Sequence, residues 1–329
     1  MTELIEQIDI GNFKSIKRAS LKNCRRINLF IGRPNVGKSN ILEALSLFTL
    51  PYLNFSKSRK LDNLIRCENA TELFYGGQYE SLAFVETGIG SATIMWDRVN
   101  GLDIKLLNSQ EVEMEHCYFD ENLNLKKQRR FPKWLPPIKK FSFSSHIEDQ
   151  HISSNLLIPP YGQNLFEILE NYKELSEEIA QLFKEYHLEL IFDRASRTLK
   201  ILKRNQDTVF LVPYHSVADT LQRIIFYKTA IASSQNSVLL FEEPEAHSFP
   251  PYITHITQEM IYHKSNQYFI ATHSPFILND LLENAREELS VYMIYYKGHE
   301  TKIKQLSDKT LHEIYQNGVD VFTNSEIFA

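Results

Sequence analysis

Eight residues near the N-terminus, Gly32-Arg33-Pro34-Asn35-Val36-Gly37-Lys38-Ser39, follow the pattern G-x-x-x-x-G-K-[ST] without a gap. Each fixed residue type has a physical reason. Glycines permit a tight turn in which backbone N–H groups converge on phosphate oxygens. Lys38 supplies a mobile positive charge for β- and γ-phosphate oxygens, and Ser39 offers a hydroxyl to Mg²⁺. The helix expected to follow points its positive N-terminus at the anion. A chance match is expected in under roughly 1% of chains of this length. The predicted chemistry is therefore binding of ATP with Mg²⁺.

Two more segments could act on a bound triphosphate. Val238-Leu239-Leu240-Phe241-Glu242-Glu243-Pro244 is an apolar run ending in two acids. In nucleotide hydrolases the first acid after such a strand holds the Mg²⁺ water shell, and the next polarises the attacking water. Glu242 is the metal candidate and Glu243 the general base. Glutamate at 242 is a departure, since aspartate is usual there; it keeps the charge and lengthens the reach. Taken alone, a strand ending in solvated acids is common. Tyr268-Phe269-Ile270-Ala271-Thr272-His273-Ser274-Pro275 is a second apolar run, ending in a histidine that could hydrogen-bond the γ-phosphate.

Phosphate loop, apolar-E-E-P-E and A-T-H-S-P, in that order, resemble the prokaryotic ABC-type ATPases related to RecF, SMC and OLD proteins. The opening IEQIDIGNFKSIKRASLKNCRRINLFIGRPNVGKSNILEAL is similar to theirs, with an N-F-K-S turn and a G-x-N-x-x-G-K-S-N loop. The resemblance covers roughly residues 1–50 and 205–329. It implies an α/β fold of the ABC-ATPase P-loop type, with a mixed or parallel sheet, an N-terminal antiparallel β section and a small helical lobe. It implies nucleotide contacts from Arg33, Asn35, Gly37, Lys38, Ser39 and Asn40. In that family a Ser-x-Gly segment at a helix start completes the partner subunit's site. Here Ser216 is the counterpart, with no glycine after it, and Arg223 on the same helix is a further phosphate contact. A glutamine between the halves senses Mg²⁺, for which Gln78 is the candidate.

These groups need elements to hold them. Strands are expected at Leu4–Ile10 and Arg26–Ile31, with a turn and strand at Phe13–Leu21. A helix over Lys38–Phe48 is closed by Pro51. Alternating stretches at 81–86, 92–96, 102–107 and 113–119 predict a β-rich section, and apolar spacing predicts a helical segment over 163–187. A hairpin (188–192, 198–203) follows. Then come a helix (218–232), the two buried strands with a helix (252–263) between them, a short helix (276–282) and a closing hairpin (291–296, 302–305). The strand–helix alternation in the second half is that of a parallel α/β sheet. This divides the chain into a nucleotide-binding core, 1–54 and 205–329, and a β-rich section with a helical lobe, 55–204.

The bulk properties narrow the class. The formal charge is −5 and the pI about 6.1, which argues against wholesale nucleic-acid coating. A local basic run with aromatics, Lys126 to Lys140 with Phe131, Trp134 and Phe141, leaves nucleic-acid contact open. Cys24, Cys67 and Cys117 are odd in number and far apart, which fits a reducing cytoplasm. No signal peptide or membrane-length apolar run is expected, nor a heptad rod, nor an acidic nuclease motif after His273. The expected molecule is an ATPase that forms a homodimer or higher oligomer around ATP and controls a protein effector. The resemblance suggests anti-phage defence. A RecF-like DNA-repair ATPase and a nucleotide-holding scaffold without hydrolysis are the alternatives.

Overall fold

The structure is a computed structural model that describes residues 4–97, 99, 101–130, 135–145, 150–184, 186–205 and 208–328. It comprises two compact units: residues 1–140, 236–243 and 264–329 form the first, and 141–235 and 244–263 the second. The sequence-based division at 54 and 205 differs from this. The β-rich section shares one hydrophobic cluster with the helix after the phosphate loop, so it belongs with the first unit.

In the first unit, β1 (Ile8–Phe13) and β2 (Ile16–Leu21) form an antiparallel hairpin whose turn places Lys14 at φ 49°. Next come β3 (Ile27–Ile31), buried along its whole length, and α1 (Lys38–Ser46). The helix does not continue to Phe48. From Leu47 to Phe55 it tightens to 3₁₀ geometry with Pro51 inside, because Leu47, Phe48, Leu50 and Leu53 are all pinned in the core. Strands β4 (Ala83–Thr87), β5 (Gly90–Asp97), β6 (Gly101–Asn108), β7 (Glu113–Phe119) and β8 (Leu125–Arg130) follow. They extend the hairpin into a seven-stranded sheet, ordered β2-β1-β4-β5-β6-β7-β8. Alternate residues of these strands (Val85, Ala92, Ile94, Ile104, Leu106) bury one face in the cluster that also holds Ile41, Leu42 and Leu45 of α1.

Beyond β9 (Ile138–Phe141), the second unit contains α2 (Leu165–Asn171) and α3 (Lys173–Lys184), then β10 (Leu188–Asp193), β11 (Thr198–Asn205) and β12 (Thr208–Pro213). These three strands make an antiparallel sheet. It also contains α4 (Asp219–Ala232), and, after β13 (Val238–Glu242) of the first unit, α5 (Pro250–Tyr262). Helix α4 is buried nearly all round, with Lys228 ion-paired to Glu259 of α5. The chain returns to the first unit with β14 (Gln267–Ala271), α6 (Pro275–Asn284), β15 (Leu289–Lys297), β16 (Glu300–Gln305), α7 (Asp308–Asn317) and α8 (Ser325–Phe328).

The second sheet runs β16-β15-β3-β14-β13-β9. Strand β3 lies between β14 and β15 and is parallel to both, and β13 is parallel to β14. Phe30 pairs with Ala271, and Ala271 with Glu242, so the three strands end level. Whatever follows them leaves the sheet at one carboxyl edge, where open α/β sheets bind ligands. Among the described residues no helix is long and apolar enough to cross a membrane. Strands β8, β9 and β12 and helices α7 and α8 carry no clear sequence signal.

Candidate functional site

The phosphate loop leaves β3 at Gly32 and delivers the chain into α1. Gly37 has φ 103°, and a Cβ there would lie 2.2 Å from Thr301 Oγ1. Nothing larger than glycine fits, because the loop is braced from behind. Thr301 Oγ1 donates to the Val36 carbonyl (2.9 Å) and lies 2.7 Å from Ser15 Oγ, which accepts from Asn40 Nδ2 at 2.6 Å. Asn40 thus turns its amide toward the Ser15 turn. Asn35, exposed at the loop's crest, is left-handed (φ 60°). Arg33 is exposed and pairs with Glu326 of α8 at 2.8 Å. Lys38 is buried, with Nζ bonded to the carbonyls of Gly32 (2.9 Å) and Arg33 (2.8 Å). The half-buried Ser39 follows at the first turn of α1.

The level strand ends bring the other groups to the same place. Glu243 follows β13 with φ 44°, its N–H bonded to the Ala271 carbonyl at 2.8 Å. A left-handed glutamate costs on the order of 1 kcal/mol, a strain typical of functional positions. His273 follows β14, its Nε2 3.7 Å from Glu243 Oε1. Burial and then the Lys38 charge push its pKa below the usual histidine value, against the pull of Glu243. Lys38, Glu243 and a neutral His273 are therefore one cluster.

Glu242 is held by cations. Its Oε1 accepts from Arg66 Nη2, and its Oε2 lies 4.0 Å from Lys140 Nζ. Arg66 also bonds Glu43 Oε1 through its backbone N–H (3.2 Å) and Nε (3.1 Å). Glu43 is fully buried on α1, one turn after Ser39, and pairs with Lys14, whose Nζ also donates to the Arg66 carbonyl at 2.6 Å. Burial alone would raise the Glu43 pKa, but Lys14 and Lys140 hold it below the usual carboxylate value. Burial lowers the Lys140 pKa, opposed by Glu242 and Glu43. Sequence reading missed Arg66, Lys140, Lys14, Glu43, Ser15 and Thr301. Only the Lys14-Ser15 turn carried a signal, within the N-F-K-S motif.

Gln78 is exposed in a loop of the first unit, held by Asn12 Nδ2 to its carbonyl (3.1 Å). Ser216 is in the second unit, exposed at the end of a 3₁₀ turn. It does not cap α4: the N-cap is Ala218, which has no side chain to bond with. Buried Gln222 fixes the segment by donating to the Val217 carbonyl at 2.7 Å. Arg223 is engaged locally by Asp219 (2.8 Å) and lies 4.6 Å over the Phe143 ring. The basic run is not one exposed face. Lys139 and Lys140 are buried, Lys139 bonding Ser237 Oγ at 2.6 Å with its pKa lowered by burial to about 8. Lys126, Lys127 and Arg129 are exposed on β8. Phe131, Lys133 and Trp134 lie outside the described residues, as does the side chain of Arg130.

The chemistry of this edge fits a nucleotide. The loop can accept only glycine at Gly37, and an ammonium lies against its carbonyls. For a metal, no group of three or more His, Cys, Asp or Glu that could hold an ion exists among the described residues. One hydroxyl (Ser39) and one carboxylate (Glu242) is the donor set of a Mg²⁺ otherwise ligated by phosphates and waters.

Residues 119–279 match the family model described as "AAA domain, putative AbiEii toxin, Type IV TA system". An uncharacterised protein of Methanocaldococcus jannaschii is 26% identical over 196 residues, spanning 59% of this chain and 80% of that protein. Among solved structures, an SMC head bound to the C-winged helix domain of ScpA is similar, with TM-score 0.52 and 14% identity over 93% of this chain and 98% of that one. An SMC head with an extended coiled coil, bound to the C-terminal domain of ScpA derived from Pyrococcus furiosus, has TM-score 0.50 and 13% identity, over 95% and 98% of the chains. At these identities the likeness establishes the fold. The chain thus has the fold of the SMC heads, and residues 119–279 resemble the AAA family model.

Proposed function

We propose that the chain is a switch that binds and hydrolyses ATP, pairs with a second copy around two nucleotides, and regulates a protein effector. The observation that carries this reading is the convergence of Lys38, Glu243 and His273 at the level ends of β3, β13 and β14. Lys38 and the loop positions Arg33, Asn35 and Gly37 bind the polyphosphate. Asn40 braces the loop through Ser15. Glu243 orients and deprotonates the attacking water, and neutral His273 donates to the γ-phosphate. Mg²⁺, when bound, neutralises charge developing on the phosphates; Ser39 and Glu242 would hold it, with Gln78 as the further candidate. Ser216 of the second copy would complete the site from outside. Its missing glycine and the uncapped α4 support the competing reading of a scaffold that holds ATP without productive hydrolysis.

The family description names a toxin of a type IV system, and the similar SMC heads carry a bound ScpA domain. The toxin description supports a role in defence, and the bound ScpA domains support a protein partner. The three unpaired thiols, with pKa values raised by burial, suit a reducing cytoplasm.

The test is Glu243→Gln in the full chain. Turnover should fall about 100-fold or more, while ATP binding persists and ATP-dependent dimers accumulate in sedimentation velocity. Unchanged turnover and unchanged association would reject the switch; the scaffold is left only if wild-type turnover is no higher than that of Lys38→Ala.

A further inference from the structure

The carboxylate assigned to the metal is occupied. Glu242 Oε1 accepts a hydrogen bond from Arg66, and the second oxygen faces buried Lys140. Five charged groups form one network around it: Lys14, Arg66 and Lys140 against Glu43 and Glu242. The cations outnumber the acids by one before any ligand arrives. A divalent cation near Glu242 would add like charge beside Arg66 and Lys140.

The two cations differ in freedom. Lys140 is buried in β9 and tied to the Leu64 carbonyl at 2.7 Å, so it stays. The Arg66 side chain is 67% exposed and belongs to an irregular segment between short 3₁₀ turns. It can swing into solvent by giving up its Nε bond to Glu43 (3.1 Å), while its backbone N–H keeps the bond to Glu43 Oε1. Glu43 cannot follow it, being buried one turn beyond Ser39 on α1.

We propose that Arg66 is a latch on Glu242: a positioning residue that must leave the carboxylate before Mg²⁺ can use it, so that metal loading is coupled to movement of the Arg66 segment. The inference rests on the nucleotide-switch reading and adds its regulation. The latch gives Glu242 a hydrogen-bonded counter-charge, where Lys140 alone stands off at 4.0 Å. With Mg²⁺–ATP bound, Arg66 is free of Glu242 while Lys14 and Lys140 still hold Glu43.

The experiment is a Mg²⁺ titration of full-length protein with fluorescent mant-ATP, comparing wild type with Arg66→Ala, Arg66→Gln and Arg66→Lys. Circular dichroism checks folding, and Arg66→Gln, which keeps a donor for Glu43, serves if the alanine variant is unstable. Removing the latch should lower the Mg²⁺ concentration for half-maximal binding about fivefold, with affinity in EDTA unchanged and Arg66→Lys close to wild type. An unchanged or higher Mg²⁺ requirement in both Arg66→Ala and Arg66→Gln overturns the latch. Absence of mant-ATP binding by the wild type, equal to that of Lys38→Ala, overturns the nucleotide reading and the latch with it.

Discussion

Glu243 and His273 are held in unfavourable circumstances, one by backbone strain and the other by burial beside a cation. His273 has the clearer consequence for pH. Its pKa is lowered by burial and by Lys38, so the folded chain takes up the proton less readily than the unfolded chain. As pH falls below about 6.5, the unfolded state is protonated first and stability drops; above that value the effect is absent. The ring is about one-third exposed, which keeps the effect small. The melting temperature of His273→Gln should therefore fall less than that of wild type between pH 7.5 and 5.5, by ~1–2 °C. Equal falls in scanning calorimetry would mean that neither burial nor the Lys38 charge lowers the pKa of the ring.

At the scale of elements, the loop is positioned from behind as much as from its own sequence. Thr301 of β16 joins the Val36 carbonyl to Ser15 and Asn40, so a residue near the far end of the chain sets the loop's shape. Thr301→Val keeps the volume and leaves a buried carbonyl and hydroxyl short of a partner. It should cost about 1–2 kcal/mol in urea unfolding and weaken mant-ATP binding about tenfold. Thr301→Ser should recover most of both; a serine variant no better than valine would argue that packing, not the hydroxyl, carries the brace. This division explains what could be read from the residues alone. The loop, the acid pair and the strand-end histidine were legible because phosphate chemistry demands fixed residue types at fixed spacing. Strands β4 to β7 were legible through alternation over one buried face. Arg66 and Lys140 were not, since they converge on Glu242 from distant stretches without periodicity. Ile138–Phe141 reads as part of a basic surface run, and only its pairing beside β13 in the core sheet shows that both lysines turn inward. Pro51 misled for a related reason: burial of its neighbours, not its own preference, decides that segment.

For the whole molecule, charge sets what the basic section can do. The chain is net negative, and Lys139 and Lys140 are withdrawn from the surface, leaving Lys126, Lys127 and Arg129 exposed among the described residues of that run. With Arg130 and Lys133, whose side chains lie outside the described residues, the run offers at most five cations, so duplex DNA binding through it should follow a log–log salt slope no steeper than about −5. Fluorescence anisotropy between 50 and 200 mM salt tests this; a slope near −8 would require a nucleic-acid surface elsewhere. The sheet order has a consequence in time as well. Strand β3 is made early, yet its two neighbours, β14 and β15, are translated more than two hundred residues later. At ~5–20 residues per second the ribosome needs on the order of ten to fifty seconds to supply them. Through that interval an apolar strand waits unpaired, and the loop after it has no frame. A nascent chain halted before Gln267 would carry the whole eight-residue motif and no nucleotide site.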